Sequence, residues 1–287
     1  MGVALITPFK SDKTIDFEAL RKVIGHVLDG KVDYIVVLGT TGEAATLNES
    51  ERKAVMDFVA KEVAGKVPLV LGLGSNCTQN LVEELSAAEF EGYDAILSVA
   101  PFYNKPSQEG IYRHFATVAE SSPLPVVLYN VPGRTGINIS TDTTLRLASE
   151  FENVIGIKEA SGNFKQIEKI ILGKPDAFQV ISGDDGLTYP LMALGAEGVI
   201  SVVANAYPEE FGKMVRLCLE GNLMEARPIH RKFSRLYEDL FVDGNPAGMK
   251  SLLHSMGLIE NELRLPLVPT RKETDDSLRS IMMELQS

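Results

Sequence analysis

Three kinds of reactive side chain stand at the ends of short apolar segments of this sequence: Lys158, Tyr129 and the pair Thr40-Thr41. A neutral lysine amine attacks carbonyl carbons and forms a Schiff base, and a tyrosine hydroxyl beside it can donate and accept a proton. Backbone N–H groups exposed by a glycine turn before a helix suit a small carboxylate. The residue types therefore indicate imine chemistry on a carbonyl compound that carries a carboxylate.

Lys158 must lie in a dry environment to act as a nucleophile. At the ordinary lysine pKa of about 10.4, roughly one amine in a thousand is neutral at pH 7.4. Lowering that pKa by about 3 costs roughly 4 kcal/mol, which burial inside a barrel can supply. Gly156 shares a strand face with Lys158 and is expected to leave room for the lysine stem. The alternative is a lysine that has left its strand and points to solvent.

The other candidates also admit a structural interpretation. Tyr129 and Lys158 end consecutive predicted strands, which would lie about 4.8 Å apart as neighbours and share one pocket if both side chains point inward. Tyr129 alone could equally be an aromatic residue at the rim of the core, and Thr40-Thr41 an ordinary polar turn. Arg134 fits a surface charge, or a guanidinium that binds a second carboxylate in bidentate fashion at the pocket mouth.

The elements that must position these residues follow from the apolar pattern, which predicts eight strands about 20 to 35 residues apart with amphipathic helices between them. Two of these helices are predicted at 16–28 and at 48–63, the second opened by an Asn48-x-x-Glu51 capping pair. The strands are apolar throughout, which is typical of a parallel sheet covered on both faces. Their predicted centres are Ala4-Leu5-Ile6, Ile35-Val36-Val37, Leu69-Val70-Leu71, Ala95-Ile96-Leu97, Val126-Val127-Leu128, Val154-Ile155-Gly156-Ile157, Phe178-Gln179-Val180-Ile181 and Val199-Ile200-Ser201-Val202.

Eight βα units in series close either as a (β/α)8 TIM barrel or as a very long doubly wound sheet, and the near-uniform period favours the α/β barrel. We predict a catalytic barrel over 1–220 and a helical extension packed on it over 221–287. Within the extension, helical patterning covers 223–242, 246–256 and 275–285. Reactive groups of such barrels lie at the carboxyl ends of the strands, where the candidates above fall.

Composition narrows the class of function. The 287 residues carry 28 Lys and Arg against 39 Asp and Glu, a net charge of −11, which argues against a nucleic-acid partner. No apolar run approaches the roughly 18–20 residues that span a bilayer, and the start shows no secretory pattern, so we expect a cytoplasmic protein. Two cysteines and four histidines without ligand spacing predict no metal site, and the histidines are expected on helix surfaces.

Three motifs resemble one enzyme family in order and spacing: Gly39-Thr40-Thr41-Gly42-Glu43, Tyr129-Asn130-Val131-Pro132-Gly133-Arg134-Thr135-Gly136 and Gly156-Ile157-Lys158-Glu159-Ala160. The family is the dihydrodipicolinate synthase and N-acetylneuraminate lyase superfamily of class I aldolases, and the resemblance covers nearly the whole chain. The loop that contains Arg134 resembles the synthase branch.

The resemblance implies a lyase of lysine and diaminopimelate biosynthesis that condenses pyruvate with L-aspartate 4-semialdehyde. It implies a Schiff base on Lys158, a proton relay of Tyr129, Thr40 and the neighbouring subunit's Tyr103, and a homotetramer built as a dimer of dimers. No cofactor is implied, since the protonated imine is itself the electron sink. The substrate-binding residues would be Thr41, Arg134, Ile200 and Gly183.

In many relatives lysine inhibits at a subunit interface, whose corresponding positions here are Ala45, Glu49, Arg52, Asn76, Asn80 and Phe102. Lysine-sensitive enzymes more often show histidines where Glu49 and Arg52 stand, a glutamate at Asn80 and a tyrosine at Phe102. A missing carboxylate at position 80 removes a partner for the ammonium of lysine, and Arg52 adds a like charge. We therefore expect weak or absent inhibition by lysine.

Two other functions stay open at this point. An N-acetylneuraminate lyase or another pyruvate-dependent sugar-acid aldolase would keep Lys158 and Tyr129, but it needs groups that recognise hydroxyls in place of Arg134. A non-enzymatic barrel that binds a metabolite would form no adduct with pyruvate.

Overall fold

The computed structural model describes residues 1–286 and confirms the (β/α)8 barrel. Eight parallel strands form a closed barrel in the order β1 to β8. The strands are β1 Gly2–Ala4, β2 Tyr34–Val37, β3 Leu69–Gly72, β4 Ala95–Val99, β5 Val126–Asn130, β6 Val154–Glu159, β7 Gln179–Ser182 and β8 Gly198–Ser201.

Helices follow the strands and continue beyond the last of them. They are α1 Phe17–Asp29, α2 Glu49–Val63, α3 Thr78–Ala87, α4 Gln108–Ser121, α5 Pro132–Thr135, α6 Thr141–Glu150, α7 Phe164–Gly173, α8 Asp185–Ala193, α9 Pro208–Leu219, α10 Leu223–Lys232, α11 Ser234–Asp239, α12 Ala247–Ser255 and α13 Lys272–Gln286. None of these helices is long and apolar enough to cross a membrane.

The chain contains two compact units, Leu69–Ile200 and Met1–Pro68 with the segment from Ser201 onwards. In the first unit, β5 and β6 pair so that Tyr129 stands beside Lys158 and Asn130 beside Glu159. Register along β6 and β7 places Lys158 opposite Ile181. β5 is buried along its whole length, so Tyr129 lies in the core beside the strand that carries Lys158.

In the second unit, β1 pairs with β2, and helices α9 to α13 follow the barrel. The capping pair predicted at the start of α2 is present: Asn48 accepts from the Glu51 N–H, and Glu51 accepts from the Asn48 N–H. The helical pattern predicted over 223–242 forms two helices, which are separated at Phe233. The predicted boundary between barrel and extension at residue 220 stays a prediction.

Two expectations were wrong in detail. β1 ends at Ala4; the N–H of Leu5 still donates to Val36 O at 3.0 Å, whereas the N–H of Ile6 donates to Asn205 Oδ1 at 3.2 Å. His114 does not lie on a helix surface. It is 4% exposed, and its Nδ1 lies 2.8 Å from Thr78 Oγ1.

Candidate active site

Lys158 lies in β6, one residue before its end, and is only 6% exposed. Its Nζ lies 4.5 Å from the centroid of the Tyr129 ring, and Tyr129 is itself buried. The structure thus places the predicted nucleophile and the predicted proton-transfer residue together in one buried position on adjacent strands. The solvent-facing alternative for Lys158 is wrong.

Gly183, and not Gly156, makes room for the Lys158 stem. A Cβ at Gly183 would lie 3.0 Å from Lys158 Cε and 2.7 Å from Ala160 Cβ. A Cβ at Gly156 would instead meet the backbone oxygen of Gln179 at 2.7 Å, so that glycine serves the close approach of β7. The expectation that Gly156 accommodates the stem was wrong, because the nearest atoms to that position belong to the adjacent strand.

A buried polar network behind Lys158 was missed by sequence reasoning. Glu159 is 1% exposed and accepts hydrogen bonds from Asn130 Nδ2 at 3.0 Å, Gln166 Nε2 at 3.0 Å and the Ser161 N–H at 2.9 Å. Asn130 also accepts from the Ile139 N–H at 3.0 Å. The carboxylate therefore ties the ends of β5 and β6 to the start of α7, which fixes the strand ends that carry Tyr129 and Lys158.

The loop after β5 forms the short helix α5, which is capped at its C-terminal end by Gly136 with a φ of 74°. Arg134 is exposed on this helix. Tyr103 is 84% exposed with a φ of 76°, and its N–H donates to Thr135 O at 3.4 Å. The two loops that carry Arg134 and Tyr103 are thus joined by a backbone hydrogen bond.

The Thr40–Gly42 segment is a 3-10 turn directly after β2, followed by Glu43 in the left-handed conformation with a φ of 53°. Thr40 is exposed and Thr41 is buried. Asn245 Nδ2 donates to Thr41 Oγ1 at 2.9 Å, and Thr7 Oγ1 donates to Gly42 O at 2.7 Å. Since the Thr41 oxygen accepts from Asn245, its own hydroxyl hydrogen is left to donate elsewhere.

The predicted pocket residue Ile200 and the six predicted regulatory positions are distributed over both units. Ile200 is buried in β8. In the unit that begins at Met1, Ala45 and Glu49 are exposed and Arg52 is half-buried on α2. In the unit Leu69–Ile200, the exposed residues are Asn76, Asn80 and Phe102, and Asn80 Oδ1 accepts from Cys77 Sγ at 3.3 Å.

A closed βα barrel with a buried lysine on its sixth strand and a tyrosine on its fifth defines a class I aldolase type of enzyme. The model of the dihydrodipicolinate synthetase family matches residues 1–285, and the chain belongs to this family.

Individual relatives agree with the family match. The chain is 58% identical to a 4-hydroxy-tetrahydrodipicolinate synthase of Parabacteroides distasonis over 99% of its own length and 96% of that protein. It superimposes on the dihydrodipicolinate synthase crystal structure from Aquifex aeolicus with a TM-score of 0.96, 42% identity, and coverage of 99% and 97% of the two chains. A third similar structure, the enzyme of Cyanidioschyzon merolae with lysine bound, gives a TM-score of 0.95, 39% identity, and coverage of 99% and 97%.

Proposed function

We propose that this protein is a lyase that condenses pyruvate with L-aspartate 4-semialdehyde, the reaction of 4-hydroxy-tetrahydrodipicolinate synthases, in lysine and diaminopimelate biosynthesis. The observation that carries the proposal is the buried Lys158 amine against the Tyr129 ring at the end of β6. The 58% identity to a synthase over nearly the whole chain supports the same reaction. Its place of action is the cytoplasm.

The first chemical step is imine formation on Lys158. The neutral amine adds to the keto carbon of pyruvate, the carbonyl oxygen leaves as water, and a protonated imine results. Loss of a methyl proton gives an enamine, with the imine nitrogen as electron sink. In this proposal Tyr129, Thr40 and Tyr103 relay the protons, and burial keeps water from competing at the imine.

The second step joins the two substrates. The enamine carbon attacks the aldehyde of L-aspartate 4-semialdehyde and forms the new carbon–carbon bond. The amine of that substrate then displaces the Lys158 nitrogen, closes the ring and frees the enzyme. Arg134 binds the carboxylate of the semialdehyde, and its exposed position on α5 leaves the guanidinium free to reach a ligand.

For pyruvate we assign the carboxylate to the Thr40-Thr41 turn, with Ile200 and Gly183 as further pocket residues. The free hydroxyl hydrogen of Thr41, whose oxygen accepts from Asn245, supports a donor role. For Gly183 the support is indirect, since the structure shows it beside the Lys158 stem.

Borohydride reduction in the presence of pyruvate tests the mechanism. We expect the mass of the peptide that contains Lys158 to rise by one reduced pyruvate, and a Lys158→Met variant to lose both adduct and turnover. Lys165→Met, which removes an exposed lysine on α7, is the matched control and should keep both. An unmodified Lys158 peptide, or turnover of N-acetylneuraminate in place of aspartate semialdehyde, would contradict the proposal.

Feedback inhibition by lysine is proposed to be weak or absent. A relative from Cyanidioschyzon merolae binds lysine, but here Asn80 and Arg52 stand where a carboxylate and a less basic group would favour an ammonium ligand. Steady-state turnover in the presence of lysine measures this directly. Strong inhibition at millimolar or lower lysine would contradict it.

A further inference from the structure

A buried lysine of the C-terminal helices lies against the turn that follows β2. Lys250 in α12 and Glu43 form an ion pair, and both side chains are fully buried. Lys250 Nζ also donates to Glu262 O at 2.9 Å and lies 4.1 Å from the Phe9 ring centroid. Because taking both charges out of water is costly, such a pair adds little net stability compared with apolar residues. The ion pair instead holds the Glu43 carboxylate at one position, next to Lys250.

Glu43 needs such fixing because its backbone is unusual. It is a non-glycine residue in the left-handed conformation, with a φ of 53°, and its N–H donates to Thr40 O at 3.2 Å. Residues held in this region persist only where their surroundings determine the conformation. Its carboxylate meets Lys250 on one oxygen, and the other accepts from the Arg264 N–H at 3.3 Å.

The same C-terminal segment holds the rest of the turn. Asn245, five residues before Lys250, donates to Thr41 Oγ1 at 2.9 Å. Arg264 binds the carboxylate of Glu51 with both guanidinium NH groups, at 2.6 and 2.8 Å, and donates to Thr46 O at 3.1 Å. Three side chains from beyond the barrel thus clamp the chain from Thr41 to the first turn of α2.

We propose that Lys250 is a positioning residue for the reaction: through Glu43 it holds the Thr40-Thr41 turn in the geometry that binds the carboxylate of pyruvate. The inference rests on the proposed function, which makes pyruvate the ligand of that turn. It assigns the helical extension a part in substrate binding, although Lys250 itself touches no reacting atom. Burial lowers the pKa of Lys250 to about 8, against the opposing effect of Glu43, which shows how closely the amine is enclosed.

Steady-state kinetics of Lys250→Met, Glu43→Gln and the double variant test the proposal. Lys250→Met leaves a lone buried carboxylate, so we expect it to lose thermal stability and to raise the KM for pyruvate about tenfold or more. The KM for aspartate semialdehyde should stay within about twofold. Lys232→Met, which breaks the exposed pair with Glu210, is the matched control and should change neither constant.

The double variant separates positioning from stability. It removes both charges, so the stability lost in Lys250→Met should return, while the pyruvate KM stays raised because the turn is no longer fixed. If Lys250→Met does not fold, Glu43→Gln and the double variant carry the measurement. Recovery of both stability and pyruvate KM in the double variant, or an equal rise of both KM values, would overturn the inference. Failure of the unaltered enzyme to form the pyruvate adduct would instead overturn the proposed function and the inference with it.

Discussion

At the scale of single residues, the position of the Lys158 amine is set by what surrounds its stem. The stem runs past Gly183, where an added Cβ would lie 3.2 Å from Lys158 Cγ and 3.0 Å from Lys158 Cε, and the centroid of the Tyr129 ring lies 4.5 Å from the nitrogen. A lysine stem free in solvent loses conformational entropy when it is ordered for reaction. Confinement orders it in advance, so less conformational entropy is lost when the amine reacts with pyruvate.

Gly183→Ala should therefore impair catalysis and also destabilise the fold. The new Cβ would lie 2.7 Å from Ala160 Cβ, so the chain just after β6 or β7 must shift, and 3.0 Å from Lys158 Cε, so the lysine stem must give way by a few tenths of an ångström. We expect the rate of adduct formation with pyruvate to fall by about tenfold or more, and the free energy of unfolding to fall by about 1–3 kcal/mol. Rapid borohydride quenching measures that rate.

The control for that variant is Gly25→Ala in α1, where an added Cβ meets nothing within 4 Å. This change should leave adduct formation untouched and stabilise the helix slightly, because alanine is the better helix former. Normal adduct formation in Gly183→Ala would contradict the prediction, because it would show that the Lys158 stem tolerates an added methyl group at position 183.

At the scale of elements, the sequence predicted the strands and the residues at their ends, because apolar runs and turn residues are local signals. It predicted Lys158, Tyr129 and the Asn48 cap for the same reason. It did not predict that Glu159 is bound by Asn130 and Gln166, since these residues meet only once the strands are in register. Pairing between distant segments leaves no mark in a single sequence.

The buried His114 on α4 makes the stability of the fold depend on pH. Burial lowers its pKa to about 4, from an ordinary value near 6.5. Between these values the unfolded chain takes up a proton that the folded chain refuses, so stability falls as pH drops below about 6.5. By pH 5 the loss from this one group is about 2 kcal/mol.

Urea unfolding at pH 7.5 and pH 5 measures this effect. His114→Gln removes the titration, so its stability should fall less between the two pH values than that of the unaltered protein. His254→Gln, at an exposed histidine in the last turn of α12, should match the unaltered protein. Equal losses in all three proteins would show that His114 does not carry the pH dependence.

At the scale of the whole molecule, the regular strand period predicted the closed barrel, and the structure has it. The sequence does not predict in the same way how subunits assemble, because an exposed residue has the same local sequence pattern whether or not it contacts a partner subunit. Tyr103 is the residue at which the active site and the subunit assembly are predicted to meet. It is a large aromatic that is 84% exposed and has a φ of 76°, a conformation that a non-glycine residue keeps only where its surroundings determine it.

If Tyr103 completes the site of a neighbouring subunit, two inactive variants should restore each other. Tyr103→Phe lacks the hydroxyl and Lys158→Met lacks the nucleophile, so each homo-oligomer should be impaired. A mixed pair, isolated by two different affinity tags, would contain one site with neither group and one site with both. Turnover should then approach about half that of the unaltered enzyme. If Tyr103 instead served its own subunit, each site of the mixed pair would lack one group, and activity would not exceed the mean of the two parents.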